Sequence, residues 1–407
     1  MKVLQINAVY GTSSTGRTTE ELDCFLQDNG IESIVAVAQT PKQKDNLYQI
    51  GGVIDHKLHA LFSRISGLQG YYSLAETKKL IGWIEKENPD IIHLRNLHAN
   101  YIHIPMLLEY IAKKDIATVV TLHDCWFFTG KCTHYTTEKC YKWQEGCHHC
   151  SKLKIDNKSW FFDRTAKMWE DKRRLFLNIP RLAVIGVSDW ITNEAKKSFL
   201  QNASMVKRIY NWINLDVFYP RKADIRERYC LPKNKFLVLC ISAGWSKNSK
   251  RSEDLIALAK GLSEDVHLVV AGNLDEGIQL PQNVTALGYI SSTEELAELY
   301  SGVDVYVHLS REDTFGKVIA ENLACGTPAI VYNSTACPEL IGEGCGYVVE
   351  TGDIEELKNA IDLIKENGKS YYSNKCIEYV KNNFEKEKLL FQNLEVYRKL
   401  EEKGVKI

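Results

Sequence analysis

Nowhere in its 407 residues does the chain hold a run of about 18 apolar residues, so nothing reads as a membrane span. Excess charge of either sign is missing too; the net is −1 at pH 7. No global basic field would recruit nucleic acid, which is therefore not an expected partner. A cleavable signal is missing. MKVLQINAVYG carries one Lys and a short apolar run before polar residues, and that run reads as a first strand. The expectation is a cytoplasmic chain, in which cysteines serve as thiols, metal ligands or buried apolar groups more than as disulfides. No Gly/Ser-rich linker and no internal repeat interrupts the sequence.

What is present is long and ordinary in bulk. Hydrophobic residues make up 44% and charged residues 25%, as in soluble globular proteins. The length exceeds one ordinary core and implies two or three domains. Short apolar runs alternate with longer amphipathic segments. The first half holds VLQINAV (3–9), SIVAVA (33–38), DIIHL (90–94), ATVVTL (117–122) and LAVIGVS (182–188). The second holds FLVLCISAG (236–244), VHLVVAG (266–272), NVTALGYI (283–290), DVYVHLS (304–310) and TPAIVYN (327–333). Strands apolar on both faces suit parallel sheets covered by helices on both sides. Strand–helix alternation twice over predicts an α/β protein of two doubly wound, Rossmann-like domains facing across a cleft. The boundary falls near RIYNWINLDVFYPRK (208–222), giving domains at 1–207 and 208–384 and a charged amphipathic final helix in 385–407.

The sharpest chemical signal is SREDTFGKVIAENLACGTPAIV (310–331). A strand ends in an acidic, Gly-containing turn, and a helix begins near Phe315–Gly316. A helix N-terminus offers free N–H groups and a positive dipole end to phosphate or sugar oxygens. Asp313 in the turn and Glu321 in the helix are carboxylates, each able to accept two hydroxyl hydrogen bonds from a vicinal diol. The alternative is a loop carboxylate and a Lys317–Glu321 ion pair at i,i+4.

This segment resembles the donor-binding signature of the family-4 retaining glycosyltransferases with the GT-B fold: an acid, seven residues, Glu, with Phe-Gly in the turn and an Ala-x-Gly-x-Pro tail. Phe315, Gly316, Glu321, Ala324, Gly326 and Pro328 match, and the first Glu falls on Asp313. INAVYGTSSTGR (6–17), with Gly16, is similar to the family's glycine loop. IYNWINLDVFYP (209–220) is similar to its interdomain segment, with Trp212 for Gly and Asn214 for the first acid. CPELIGEGCGYVVETGDIEEL (337–357) is similar to its closing strand and helix. The resemblance implies that Glu321 binds a nucleotide ribose and that Asp313 with the Phe315–Gly316 backbone reads the donor sugar. It implies that 385–407 crosses back to the N-terminal domain. A basic pair should hold the diphosphate. Lys250 in SAGWSKNSKRSEDL fits the Lys position, and the Arg position is empty unless Lys247 or Arg251 substitutes. A solvated basic loop is the alternative. His123 closes the strand VVTLHD and is expected to hydrogen-bond the transferred sugar; Asn96 and His98 in HLRNLHANYIHIP are expected to meet the acceptor.

HDCWFFTGKCTHYTTEKCYKWQEGCHHC (123–150) follows His123 and is similar to a cysteine-rich subgroup typical of capsule and exopolysaccharide assembly. Cys132, Cys140, Cys147 and Cys150 read as a structural zinc site, as unmetallated thiols packing a loop, or as disulfides. No catalytic metal is expected. The whole reading is a retaining glycosyltransferase moving sugar from a nucleotide-diphosphate sugar to a glycan acceptor. That acceptor would be lipid-linked on a polyprenyl diphosphate at the inner membrane face, in bacterial surface polysaccharide assembly. KLHALFSRISGLQGYY (57–72), basic and apolar, could touch that surface or could be plain helix and loop. The rivals are a non-catalytic GT-B paralogue that scaffolds another transferase and a GT-B nucleotide-sugar epimerase.

Overall fold

A computed structural model describes residues 1–402; the last five residues of the expected 385–407 segment lie outside the described residues. The chain divides into two compact units. Unit 1 is Met1–Tyr210 together with the chain from Leu390, and unit 2 is Asn211–Leu389.

Unit 1 runs β1 (Lys2–Val9), α1 (Ser13–Asp28), β2 (Glu32–Gln39), β3 (Leu47–Gln49), α2 (Val53–Ser66), α3 (Leu74–Glu87), β4 (Ile91–Leu94) and α4 (Ile104–Lys114). It continues through β5 (Ala117–Leu122), α5 (Thr165–Leu177), β6 (Leu182–Gly186), α6 (Asp189–Lys197) and β7 (Met205–Arg208). Unit 2 runs α7 (Ile225–Arg228), β8 (Phe236–Trp245), α8 (Lys250–Gly261), β9 (Val266–Leu274), β10 (Val284–Gly288), α9 (Thr293–Gly302) and β11 (Val305–His308). It ends with α10 (Lys317–Ala324), β12 (Ala329–Tyr332), β13 (Gly346–Val349), α11 (Ile354–Asn367), α12 (Lys369–Phe384) and the start of α13 (Lys386–Glu402).

The first sheet is ordered β3-β2-β1-β4-β5-β6-β7 and the second β10-β9-β8-β11-β12-β13. Every pairing is parallel, Val3 opposite both Ser33 and Ile91, Val305 opposite Val238. The central strands β4, β5, β11 and β12 are buried along their whole length, as a sheet covered on both faces requires. The α/β reading from the apolar runs therefore holds: all ten runs are strands. The short edges β3 and β7 lie outside those runs.

In each sheet the strand order reverses at one place, between β1 and β4 and between β8 and β11. Loops leaving the carboxyl ends of such a strand pair diverge to opposite faces, and the gap between them is where doubly wound sheets bind ligands. Among the described residues no helix is long and apolar enough to cross a membrane.

Candidate active site

In unit 2 the divergence point is built by the ends of β8 and β11. The β8–β9 register shifts between Ile241 and Gly244, which turns Ser242 out of the ladder. Gly272 opposite, at φ +122°, leaves the room: a Cβ there would fall 1.8 Å from the Ser242 carbonyl oxygen. Ser249 caps α8 by accepting from Ser252 N, so α8 begins at Lys250 with its first residues over the strand ends. Arg251 Nη1 donates to Ser242 Oγ at 2.6 Å and its Nη2 to Ser310 Oγ at 2.9 Å, spanning β8 and β11. Lys250, one residue earlier, is 70% exposed and pairs with Glu253 at 2.7 Å on the helix surface. Lys247 borders a separate cavity of about 460 Å³ with Lys260, Gly277 and Ile278, which neither Arg251 nor Asp313 lines.

The turn after β11 is held on all sides. Arg311 makes a bidentate pair with Asp254 of α8, Nη2 lying 2.8 and 3.0 Å from the two carboxylate oxygens. Tyr332 donates to the same carboxylate at 3.0 Å. Asp313 N donates to Thr335 Oγ1 at 2.9 Å, and the Asp313 carboxylate meets His308 Nε2 at 2.7 Å. The other ring nitrogen of His308 meets Tyr306 O–H at 2.8 Å. His308, Asp313 and Cys337 are the one group of three metal-type ligands within 4.8 Å of one another among the described residues. Burial and the Asp313 charge hold the Cys337 thiol well above its ordinary pKa, so it stays protonated beside the pair.

Gly316, at φ +84°, caps α10 without a side chain, and the helix starts directly after the turn that carries Asp313. Glu321 lies one helical turn further and is buried. The Phe315 ring packs edge-on against Phe384 at 5.4 Å, so the ring is core. One strand–turn–helix thus gathers Asp313, Phe315, Gly316 and Glu321, and Arg251 adds the cation.

In unit 1 the divergence point joins β1 and β4. Gly11, at φ +73°, turns the chain into α1 and donates to the Gly16 carbonyl at 3.0 Å. A Cβ on Gly16 would press on Val9 at 3.1 Å, so Gly16 lets the helix close on the strand. Asn7 ties the two strands: its amide donates to Thr19 Oγ1 at 2.9 Å and it accepts Asn96 N at 3.2 Å. Arg95 is fully buried beside it, donating to Thr18 Oγ1 at 3.0 Å; burial pulls its guanidinium down to about 10.

His98 meets Asp124 at 2.8 Å, and Asp124 also accepts Trp126 N at 2.8 Å. Burial alone would lower the His98 imidazole, but the Asp124 charge and hydrogen bond outweigh it and raise it. The partner effect is mirrored in Asp124, where burial raises the carboxyl and His98 overrides it to leave it lowered. Gln69 clamps the pair from behind, donating to the His98 carbonyl and accepting Trp126 Nε1–H at 2.8 Å. His123 follows β5 directly and is half-buried, near enough to weigh on the charge of His93. His93 is buried and held neutral, between Thr121 Oγ1 at 2.7 Å and Tyr397 O–H at 2.6 Å.

The cysteine-rich loop hangs on Lys172 of α5. Its buried ammonium donates to the carbonyls of Trp126 at 2.6 Å and Thr129 at 3.0 Å and sits 3.3 Å over the Trp126 ring. Burial pulls it down to about 7. Cys132 and Cys150 place their sulfurs 3.7 Å apart, and Cys147 accepts Gly130 N–H at 3.1 Å. All four cysteines of the set are free thiols.

The two halves match two family models: Glycosyltransferase Family 4 over residues 15–217 and Glycosyl transferases group 1 over 221–383. The chain belongs to the family-4 glycosyltransferases. Among relatives of this chain, a protein of Escherichia coli named for colanic acid biosynthesis, the glycosyl transferase WcaC, is 23% identical over 66% of the chain and 66% of its own length. A GDP-mannose-dependent phosphatidylinositol dimannoside mannosyltransferase of Mycobacterium tuberculosis is 33% identical over 33% of the chain and 37% of its own length. The match thus spans just under two thirds of the first relative and little over a third of the second. The sucrose-phosphate synthase of Thermosynechococcus elongatus shares the fold across 98% of both chains, with a TM-score of 0.73 at 18% identity. The GT-B fold of the chain follows from that likeness together with the two parallel sheets.

Three residues, His308, Arg311 and Asp254, escaped the motif reading, which named Arg251 only as a substitute for the missing Arg. His308 lies inside an apolar run and reads as core. Arg311 and Asp254 are 57 residues apart in sequence, and nothing local pairs them. Arg251 stands beside the Lys expected to do its work; neighbours on a helix point about 100° apart, and spacing alone does not say which faces the strands.

Proposed function

We propose that the chain transfers a glycosyl group from a nucleoside-diphosphate sugar to a hydroxyl of a glycan, with retention of configuration. Unit 2 takes the donor and unit 1 the acceptor. The observation that carries this reading is the bridged guanidinium of Arg251 at the β8–β11 divergence point, beside the N-terminus of α10 and the carboxylates of Asp313 and Glu321. A leaving nucleoside diphosphate gains negative charge as the glycosidic bond breaks. Fixed donors already aimed at that charge lower the barrier without reorganising. Arg251 and the first-turn N–H groups after Gly316 fill that role, with Arg251 in place of Lys250. Glu321 accepts the ribose hydroxyls. Asp313, held by His308, accepts hydroxyls of the sugar. No side chain stands ready as a covalent nucleophile in the reading, so the acceptor attacks on the face the diphosphate leaves.

The acceptor of this reading is lipid-borne and belongs to surface polysaccharide assembly at a membrane face. The names of the two relatives, a colanic acid transferase and a phosphatidylinositol mannoside transferase, support it. His98, Asn96 and His123 meet the acceptor. The intact donor constellation argues against a scaffold without activity.

Cys132, Cys140, Cys147 and Cys150 would hold a structural zinc. Only the Cys132–Cys150 edge, at 3.7 Å, has the length expected in a tetrahedron of thiolates about 2.3 Å from the metal; no three of the four sulfurs lie within 4.8 Å of one another among the described residues, so the loop would have to close further around the ion. The N–H donated to Cys147 suits a thiolate. A closed site of this kind shapes the loop and takes no part in transfer. Metal analysis of the purified chain tests it; a chain without bound zinc leaves four packed thiols.

Thermal unfolding against a panel of nucleotide sugars tests the donor site. A ligand at ~100 times its dissociation constant adds about 2.7 kcal/mol to the native state. A rise in melting temperature with one donor, lost in Glu321→Ala, is expected. No rise with any donor overturns the assignment.

A further inference from the structure

Helix α2 is inside out. Its buried residues are His59 and Ser63, while its apolar stripe faces outward. Ile54 is 76% exposed, and Leu58, Leu61, Phe62 and Ile65 follow it along one face at helical spacing. A helix that only covered a core would show the reverse. The Ser159–Phe162 turn extends the stripe: Trp160 N donates to the Arg64 carbonyl at 2.7 Å, and the Phe162 carbonyl crowds Gly67 at the end of the helix. Trp160 and Phe161 are exposed there. A contiguous apolar ridge of this size on one unit marks a docking surface.

Beneath the ridge lies a polar cavity of about 260 Å³, lined among others by Ser63, Arg64, Gln69, Asn100 and Lys158. Ser63 is 4% exposed, and its hydroxyl has no hydrogen-bond partner among the described residues; the same holds for the Asn100 side-chain oxygen. The amide of Asn100 can present either end, so both residues can donate to a ligand. Arg64 and Lys158 make no ion pair among the described residues. The nearby acids are engaged elsewhere: Asp55 accepts Ser73 O–H at 2.7 Å, Asp156 accepts Thr133 N at 2.6 Å, and Asp163 accepts Cys150 N at 2.7 Å. Gln69 connects the cavity floor to the His98–Asp124 pair.

We infer that this face of unit 1 seats on a lipid bilayer and that the cavity takes the phosphate of a membrane lipid. The apolar ridge enters the acyl boundary, and Arg64, Lys158, Ser63 and Asn100 hold the headgroup oxygens. The inference rests on the proposed lipid-borne acceptor, and it would bring that acceptor's phosphate close to His98.

Co-sedimentation of the full chain with vesicles tests it without any transfer step. Phosphatidylglycerol-containing vesicles are expected to carry the chain down, and phosphatidylcholine vesicles to carry much less. Ile54→Ser with Phe161→Ser should leave it in solution with unchanged circular dichroism. Arg64→Gln with Lys158→Gln should weaken binding roughly 30-fold, from about 1 kcal/mol per basic residue at an anionic surface and 1.4 kcal/mol per factor of ten. Lys57→Gln with Lys154→Gln, which removes equal charge outside the cavity, should weaken it less. Equal losses from the two pairs would overturn the cavity assignment. Displacement by excess inorganic phosphate would move the site to a soluble ligand. A chain that dimerises and ignores vesicles would make the ridge a subunit interface. Glu321→Ala should bind vesicles like wild type, so a failed donor site leaves this result readable.

Discussion

The two divergence points are the same device built in two ways. In unit 2 short turns do the work: Arg251 is tied to Ser242 and Ser310, Arg311 to Asp254, and Asp313 to His308. In unit 1 the neighbouring β5 adds the irregular 123–164 stretch, whose Asp124 meets His98 after β4 and which is held by buried lysines and a glutamine. A turn a few residues long is fixed by its own strands. A long loop is fixed only by what it packs against, so it can be exchanged without disturbing the sheet. On the proposed function, a site for the diphosphate suits the first construction, and a site for a particular acceptor suits the second.

The comparison breaks most sharply at Arg251. Arg251→Ala should lower kcat about 10²–10³-fold, the usual loss of one fixed donor to developing charge, measured by initial rates at saturating donor. A loss confined to KM would mean that Arg251 binds the ground state alone. Lys172→Ala probes the other construction. It leaves two buried carbonyls without a donor, at about 1–3 kcal/mol each. The melting temperature should fall roughly 4–24 °C, at 2–4 °C per kcal/mol for a domain of this size, with the donor-induced shift kept. Loss of that donor shift as well would couple the two constructions.

A subtler contrast is pH. The raised imidazole of His98 contributes stability that is complete below its ordinary 6.5 and lost as pH rises through its higher folded value. The lowered carboxyl of Asp124 contributes stability present above its ordinary 3.8 and lost as pH falls through its lower folded value. The stability difference between wild type and Asp124→Asn should therefore be a plateau between these limits, falling on both sides. A difference flat with pH would mean the pair is neutral. The smallest effect is expected of Lys250→Ala: within about 0.5 kcal/mol in stability, as for other exposed sites, and little change in rate. A loss as large as that of Arg251→Ala would return the diphosphate to Lys250.

The same difference explains what could be read from the sequence. β11, the acidic turn and α10 are contiguous, so the gathering of Asp313, Gly316 and Glu321 is visible as a string. The parallel sheets are visible because buried central strands are apolar on both faces. β3 and β7 are not, being three and four residues long and at sheet edges, where burial asks little of the side chains. Nor is the Gln69–Trp126 bond, whose partners stand 57 residues apart, or Lys172, a lysine on a helix that reads as an ordinary polar face. Contacts that close long loops leave no period behind them.

The bond from His93 to Tyr397 links residues 304 positions apart. Phe25 likewise packs edge-on against Phe391 at 4.9 Å. A ribosome adding 5–20 residues per second needs roughly 15–60 s to pass from one end of that bond to the other. During that time unit 2 is made and can fold inside a first unit whose central strand still lacks its partner. Unit 2 is, in effect, an insertion, and the last helix is the stitch that closes the first-made half. A nascent chain halted before Tyr397 would hold a finished second unit and an unfinished first unit, a natural substrate for chaperones.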